Sequence, residues 1–243
     1  MRFSSQLVVI SFIGLLVSFW NRNELPRNID YQPQVLHEPV QKATRKQPFE
    51  VSYNDVAYLI EPEYEYDLHG MIVSYRHHDG NSRMHLRAND KLNMLDVCVI
   101  WGDNTANRRL DRIEFWNGIF TCNVSTRDQE AWDSFDMFQL SNNHLISADE
   151  FIRDQVSRVR IGDQIRVRGY LAAYSSPGGG KRGTSTTRLD SGDGACETLF
   201  VERFDIIKAS TSYWRLSMYA SAVLFLGGLV AHFRRPYRPY RTG

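Results

Sequence analysis

Two uninterrupted apolar stretches bracket the chain. The first, FSSQLVVISFIGLLVSFWN, sets nineteen uncharged residues between Arg2 and Arg22. As a helix it rises about 28 Å, close to the roughly 30 Å of a bilayer's hydrocarbon core. The second runs uncharged for eighteen residues from Leu216 to Phe233, with Arg215 before it and Arg234, Arg235, Arg238 and Arg241 behind it. Tyr213, Trp214 and Tyr219 at one end and Phe233, Tyr237 and Tyr240 at the other suit the aromatic belts of a spanning helix, and Gly227-Gly228 is tolerated in lipid. The pattern predicts a signal anchor over 1–20, a second transmembrane helix over 214–233 and a basic tail over 234–243. The alternative for the first stretch is a cleaved secretory signal. Its apolar run closes on Phe19 and Trp20 rather than on a small-x-small site, which favours an anchor that stays. The alternative for the second is a buried core helix, which does not need four arginines beyond its end. By the positive-inside rule that tail is cytoplasmic, Arg2 puts the N-terminus on the same side, and the middle of the chain lies outside.

Between the two stretches the pattern changes twice. Residues 21–55 hold Pro26, Pro33, Pro39 and Pro48 around QKATRKQ with no apolar period, which predicts an extended linker. From 56 to 210 the texture is that of strands. YDLHGMIVSY has the β-branched and aromatic content of a strand ending near Tyr75, with Gly70 permitting a bend. In LDVCVIWGDN, Leu95, Val97, Val99 and Trp101 alternate with Asp96, Cys98 and Ile100, a period of two. In RIEFWNGIFTCNV, Asn117-Gly118 between apolar runs signals a hairpin. Ser147 three residues before Glu150 forms a capping box, predicting a helix of about three turns that buries Phe151 or Ile152 with Val156 and Val159 and stops at Gly162. DQIRVRGYLAAYSS then alternates cleanly, and a twenty-residue polar loop leads to a last strand, ACETLFVERFDII.

That order predicts a mainly β fold: a small OB-like barrel with one capping helix, flanked by N- and C-terminal transmembrane helices. Periodicity alone equally allows an SH3-like barrel or a small sandwich. IGDQIRVRGYL resembles the fourth strand of many OB domains, while the hairpin at Asn117-Gly118 departs from a strict five-strand count. The phrases YDLHGMIVSYRHHDG, CVIWGDN, QLSNNHLI and RGTSTTRLDSGDGACET together resemble a family of uncharacterised membrane-anchored proteins of proteobacteria, across most of residues 60–207. The resemblance implies a bacterial inner-membrane protein and transfers no activity.

Charge matters once the ends are set aside. Six of the 29 basic residues and none of the 28 acidic ones lie outside residues 21–213, leaving 23 against 28, a net charge of −5, within them. An acidic domain repels a phosphate backbone, so nucleic acid is not an expected partner. Cys98, Cys122 and Cys196 all fall in this region; in an oxidising compartment two of them can pair, in any of three ways, and strand cysteines behaving as small hydrophobes are the alternative. No CxxC is present, so a structural zinc site is not expected.

The candidate chemistry is sparse. His77 and His85 are the metal candidates, although adjacent His77 and His78 in a strand point to opposite faces and solvated loop histidines explain them as well; no metal and no cofactor is expected. In the glycine-rich loop 175–194, Lys181 is followed by Arg182 rather than Ser or Thr, which excludes a P-loop. In an OB barrel this loop helps frame the ligand face, so Arg182, Thr184, Ser185, Arg188 and Asp190, with Trp101 as a stacking surface, are the candidate ligand residues; a mobile solvated loop is the alternative. No GxSxG or SxxK is present and no catalytic triad is nominated. The expected function is therefore a non-enzymatic, membrane-tethered binding or assembly module in the periplasm, an accessory subunit for another envelope protein, with both termini cytoplasmic. The alternative is an envelope ligand-binding protein or enzyme acting on glycans or peptides at the 175–194 face, its small-molecule ligand unspecified.

Overall fold

The computed structural model describes residues 3–25, 29–78, 89–118, 121–187 and 196–234. In chain order the elements are α1 (Phe3–Asn21), a 3-10 turn at Pro33–Leu36, β1 (Val40–Ala43), β2 (Phe49–Tyr53), β3 (Val56–His77), β4 (Asn93–Ile100), α2 (Gly102–Ala106), β5 (Glu114–Asn117) and β6 (Cys122–Ser125). There follow α3 (Gln129–Asp133), β7 (Leu140–Ile146), α4 (Glu150–Ser157), β8 (Gln164–Ser175), β9 (Lys181–Arg182), β10 (Glu197–Lys208) and α5 (Tyr213–Phe233). The chain is thus mixed helix and strand with a large sheet and two apolar terminal helices. It divides into two compact units, one from the chain ends up to Pro26 and from Thr211, the other Arg27–Ser210.

In the first unit α1 and α5 pack antiparallel, through small residues that let the backbones approach. Ser18 Oγ donates to Ser217 Oγ at 3.0 Å. A Cβ on Gly14 would meet Ser221 Oγ at 2.9 Å, and one on Gly228 would meet Val8 at 3.0 Å. Phe12 and Phe225 bring their rings to 5.5 Å. Ser212 caps α5 by accepting from Arg215 N–H, Arg215 Nε donates to the Arg22 carbonyl, and Trp214 Nε1 donates to Glu24. Both helices are long and apolar enough to cross a membrane, and only 17% and 6% of their apolar windows are buried. A core helix of a soluble protein hides its apolar face; these expose theirs on most sides.

The second unit is organised by β3, whose 22 residues serve two edges. Along one edge it pairs antiparallel with β2, β1 and β4 in turn; along the other, Leu59–Met71 pairs antiparallel with β8. β4 pairs antiparallel with β7, β7 parallel with β10, and β10 antiparallel with β8, so the pairings lead from β3 back to β3. Gly169 on β8 is where β10 comes closest: a Cβ there would sit 1.8 Å from the Phe200 carbonyl oxygen. Gly70 on β3 is similarly pressed, 2.7 Å from the Ile100 oxygen. Leu68 and Ile72 of β3, Leu95, Val97 and Val99 of β4, Leu145 of β7, Val167 and Leu171 of β8 and Leu199 of β10 share one core with Ile152, Val156 and Val159. A second apolar cluster gathers Tyr58, Ile60, Leu92, Ile146, Tyr174 and Phe200.

Three local readings differ from the sequence expectation. The stretch expected as linker contributes β1 and β2, which start just after Pro39 and Pro48 and add to β3. β1 is mostly exposed and carries no apolar alternation, whereas β2 alternates over only five residues, with Phe49, Val51 and Tyr53 half-buried and Glu50 and Ser52 exposed; a proline is tolerated at a strand start. The helix after β7 is capped by Asp149, whose carboxylate accepts from Phe151 and Ile152 N–H, while Ser147 Oγ instead donates to the Val201 carbonyl. Trp101 is fully buried, its indole N–H donating to Glu38 at 2.8 Å, because the alternation that fills the core with Leu95, Val97 and Val99 carries it inward too.

Candidate functional site

Strand alternation decides which side chains of β4 and β7 leave the core. Leu95, Val97 and Val99 point in, so Asp96 and Cys98 point out, where their cross-strand partners on β7 are His144 and Asn142. On the far side of β7, the parallel register sets Thr198 of β10 beside His144. Outward here does not mean solvated: Asp96 and His144 are 0% and 1% exposed.

A charged cluster is built on this row. Asp96 Oδ1 lies 2.5 Å from His144 Nδ1 and also accepts from Asn93 Nδ2 at 3.0 Å. Asp96 Oδ2 lies 2.7 Å from Nε2 of His78, which follows the end of β3. An ionised carboxylate only accepts, so both imidazoles present N–H to it, and a neutral His144 keeps Nε2 as an acceptor. Burial alone opposes ionisation of Asp96, but hydrogen bonds from His144 and His78, and their charges, hold its carboxyl well below the usual carboxylate range.

The acceptor Nε2 of His144 meets Arg182 Nη2 of β9 at 3.4 Å. The same guanidinium reaches Asp90 at 3.5 Å, and Asp90 accepts from Tyr174 Oη at 2.7 Å. Burial, with Asp90 beside it, pushes the Tyr174 phenol well above its ordinary range. Tyr58 completes this end, donating to the Asn89 carbonyl and accepting from Lys91 N–H. At the other end of the row Asn142 Nδ2 donates to Cys196 Sγ at 3.2 Å, and burial raises the Cys196 thiol. Cys98 is bonded to Cys122, which ties the β5–β6 hairpin to β4.

The residues singled out from sequence fall out as follows. Arg182 joins the cluster. Thr184 and Ser185 lie beside it, with hydroxyls that hold the loop itself: Thr184 Oγ1 accepts from Thr198 N–H, and Ser185 Oγ donates to the Thr187 carbonyl. Trp101 is elsewhere, in the core. Arg188, Asp190 and His85 lie outside the described residues. His77 ends β3, and His78, just beyond it, turns its Nε2 to Asp96. His77 stacks its ring edge-on against Tyr75 at 5.1 Å and, with His78, Met94, Arg153, Val156 and Ser157, lines a pocket of about 360 Å³. Among the described residues no three His, Cys, Asp or Glu side chains converge to hold a metal ion; the two imidazoles take separate oxygens of one carboxylate.

A second charged group, Asp67 with Arg166 at 3.0 and 2.6 Å and His69 at 3.8 Å, is half-exposed. It borders a pocket of about 430 Å³ with Gln32, Arg203 and Asp205. Arg166 and Arg203 each have a carboxylate partner, as ordinary surface ion pairs of small energetic weight do.

No protein-family model, curated protein or solved structure matches the chain. The site therefore rests on its own geometry. Sequence reading found Arg182 but missed Asp96 and His144, the centre of the cluster. One signal was available for the acid: LDVCVI sets Asp96 in a run whose other residues are all apolar, whereas LSNNHLI is polar over Ser141–His144 and carries no such sign.

Proposed function

We propose that the chain is a membrane-tethered, extracytoplasmic binding or assembly module, an accessory subunit for another envelope protein, carried on an OB-like barrel. The pairing circuit β3–β4–β7–β10–β8–β3, with β7 and β10 parallel and α4 between β7 and β8, has the strand order of an OB fold. In such folds the outer face of the second and third strands, here β4 and β7, receives the ligand under the loop between the fourth and fifth. The observation that carries the reading is the Arg182–His144–Asp96 cluster on that same face: buried charge is costly, and it clusters where recognition or chemistry is done.

Location rests on separate support. A disulfide such as Cys98–Cys122 persists in an oxidising compartment. The antiparallel pairing of α1 with α5 gives the N-terminal stretch a specific packing partner, which supports an anchor that is kept. With the basic tail inside, both termini are cytoplasmic and the membrane is a bacterial inner membrane. The partner is a protein of the envelope rather than nucleic acid.

Crosslinking in native membranes followed by purification is expected to return a single envelope protein, and Arg182→Ala to cut that yield severalfold with an unchanged melting temperature. A wild-type protein that returns nothing above background contradicts the reading. The same arginine favours a second occupant, a carboxylate-bearing glycan or peptide; direct binding of such a fragment, lost in Arg182→Ala, together with an empty crosslinking lane, selects that reading instead.

A further inference from the structure

The outer face of the sheet also carries a row of sulfur. Cys98 of β4 stands opposite Asn142 of β7, and the parallel register that sets Glu197 of β10 beside Asn143 sets Cys196 beside Asn142. Asn142 Nδ2 donates to Cys196 Sγ at 3.2 Å, so both side chains leave the sheet on the same side as Cys98. Two cysteines thus flank one asparagine. Neighbouring strands run about 4.8 Å apart, which puts the Cα atoms of Cys98 and Cys196 roughly 10 Å from each other. A disulfide needs its Cα atoms within about 7 Å, so these two sheet cysteines cannot bond directly.

Cys122 is the mobile member of the set. It is bonded to Cys98 with the Cα atoms 5.7 Å apart, and it opens β6. Its partner in the hairpin is Asn117, the last residue of β5, which places it at the turn end, where Gly118 N–H donates to the Thr121 carbonyl. Among the described residues β5 and β6 pair only with each other. A ribbon of two four-residue strands is marginal alone, and the disulfide ties its tip to β4. A swing of that tip by one to two strand spacings, about 5–10 Å, carries Cys122 past Asn142 to Cys196.

We propose that Cys98, Cys122 and Cys196 form a thiol–disulfide exchange site, in which Cys196 takes Cys122 from Cys98 and so moves the hairpin tip across the β4–β7 face. The inference rests on reading that face as the binding face and adds its regulation. The Cys196 thiolate attacks Cys122 Sγ in line with the Cys98–Cys122 bond. A Cys122–Cys196 bond forms, the Cys98–Cys122 bond breaks with its electron pair on Cys98, and Cys98 takes up a proton in place of the one Cys196 lost. The step is an isomerisation and needs no outside oxidant or reductant. It is slow at neutral pH, because the nucleophile is a thiolate and burial raises the Cys196 thiol; the hydrogen bond from Asn142 and the charge of Arg182 oppose that rise, while Glu197 and Asp96 add to it.

Disulfide mapping of the full-length protein in detergent tests the site. Trypsin releases the three cysteines on separate peptides, 92–108, 113–127 and 189–203, and alkylation after acid quenching freezes the pairing. Fresh wild type is expected to show Cys98–Cys122 with Cys196 alkylated. After overnight incubation near pH 8.5, about a tenth or more is expected as Cys122–Cys196 with Cys98 alkylated. With oxidised glutathione present, Cys98→Ser is expected to form Cys122–Cys196, and Cys122→Ser to form no internal bond, because the sheet holds its two cysteines apart. In urea the sheet is lost, and Cys122→Ser should then bond Cys98 to Cys196. No Cys122–Cys196 bond in the incubated wild type overturns the site, as does a native Cys122→Ser that bonds Cys98 to Cys196. The wild-type readout stands even if Cys98→Ser does not fold. Crosslinking separates the two ideas: a captured partner without the exchanged bond removes only the exchange site, and an exchanged bond without a partner removes only the envelope-partner reading.

Discussion

Asp96→Asn is expected to lower the melting temperature of the folded unit by roughly 10 °C. The carboxylate is buried and is the shared acceptor for His144, His78 and Asn93. An amide cannot accept from all three, and its own N–H₂ faces ring nitrogens that already donate. Removing one partner from a buried ionic group costs about 3–5 kcal/mol. At about 2–4 °C per kcal/mol for a unit of this size, that is a shift well above error. The pH dependence has a definite sign. Because the folded state holds the Asp96 proton less tightly than the unfolded state does, its contribution is complete above the ordinary carboxylate range near pH 4 and drains as the pH falls below it. The variant lacks this loss. Thermal melts followed by tryptophan fluorescence between about pH 3 and pH 7 check both parts, and a variant that melts with the wild type at neutral pH refutes the role assigned to Asp96.

Reduction is expected to have the next largest effect. Cys98 and Cys122 are 24 residues apart in sequence, and closing a loop of that length removes about 3 kcal/mol of unfolded-state entropy. The Cys98→Ser, Cys122→Ser double variant should therefore melt several degrees lower than the wild type, and reductant should bring the wild type down to the same temperature. Cys196 is outside the bond and keeps its thiol, so Cys196→Ser should leave the response to reductant intact. A wild type indifferent to reductant would argue against the bond, and with it against one support for an oxidising location.

These two effects fall on residues of unequal visibility in the sequence. Cys98 stands out by type alone, yet its choice of Cys122 over Cys196 is made by the β5–β6 hairpin folding back onto β4, a tertiary event. Asp96 looks like the polar half of an alternating strand. What makes it central is His144, 48 residues further on, brought opposite by the β4–β7 register. Elements set by local pattern were legible: the two apolar helices, the alternation through Val97 and Val99, the hairpin beside Gly118 and the helix that buries Ile152 and Val156. β1 was not, because an exposed edge strand needs no apolar period and derives its conformation from β3; β2 carries a short period, Phe49, Val51 and Tyr53, which the neighbouring prolines and polar residues masked. Arg182 was legible as a cation in a polar loop; its contact with an imidazole buried on another strand was not.

Everything proposed for the folded unit requires it to lie outside the cytoplasm between two spanning helices. Alkaline phosphatase, which becomes active only after export, fused after Ser210 and separately after Gly243 in a bacterial host, tests this directly. High activity at the first junction and none at the second is the predicted result. An inactive fusion after Ser210, made at normal levels and recovered with the cytosol, would contradict the extracytoplasmic location and the envelope partner that depends on it.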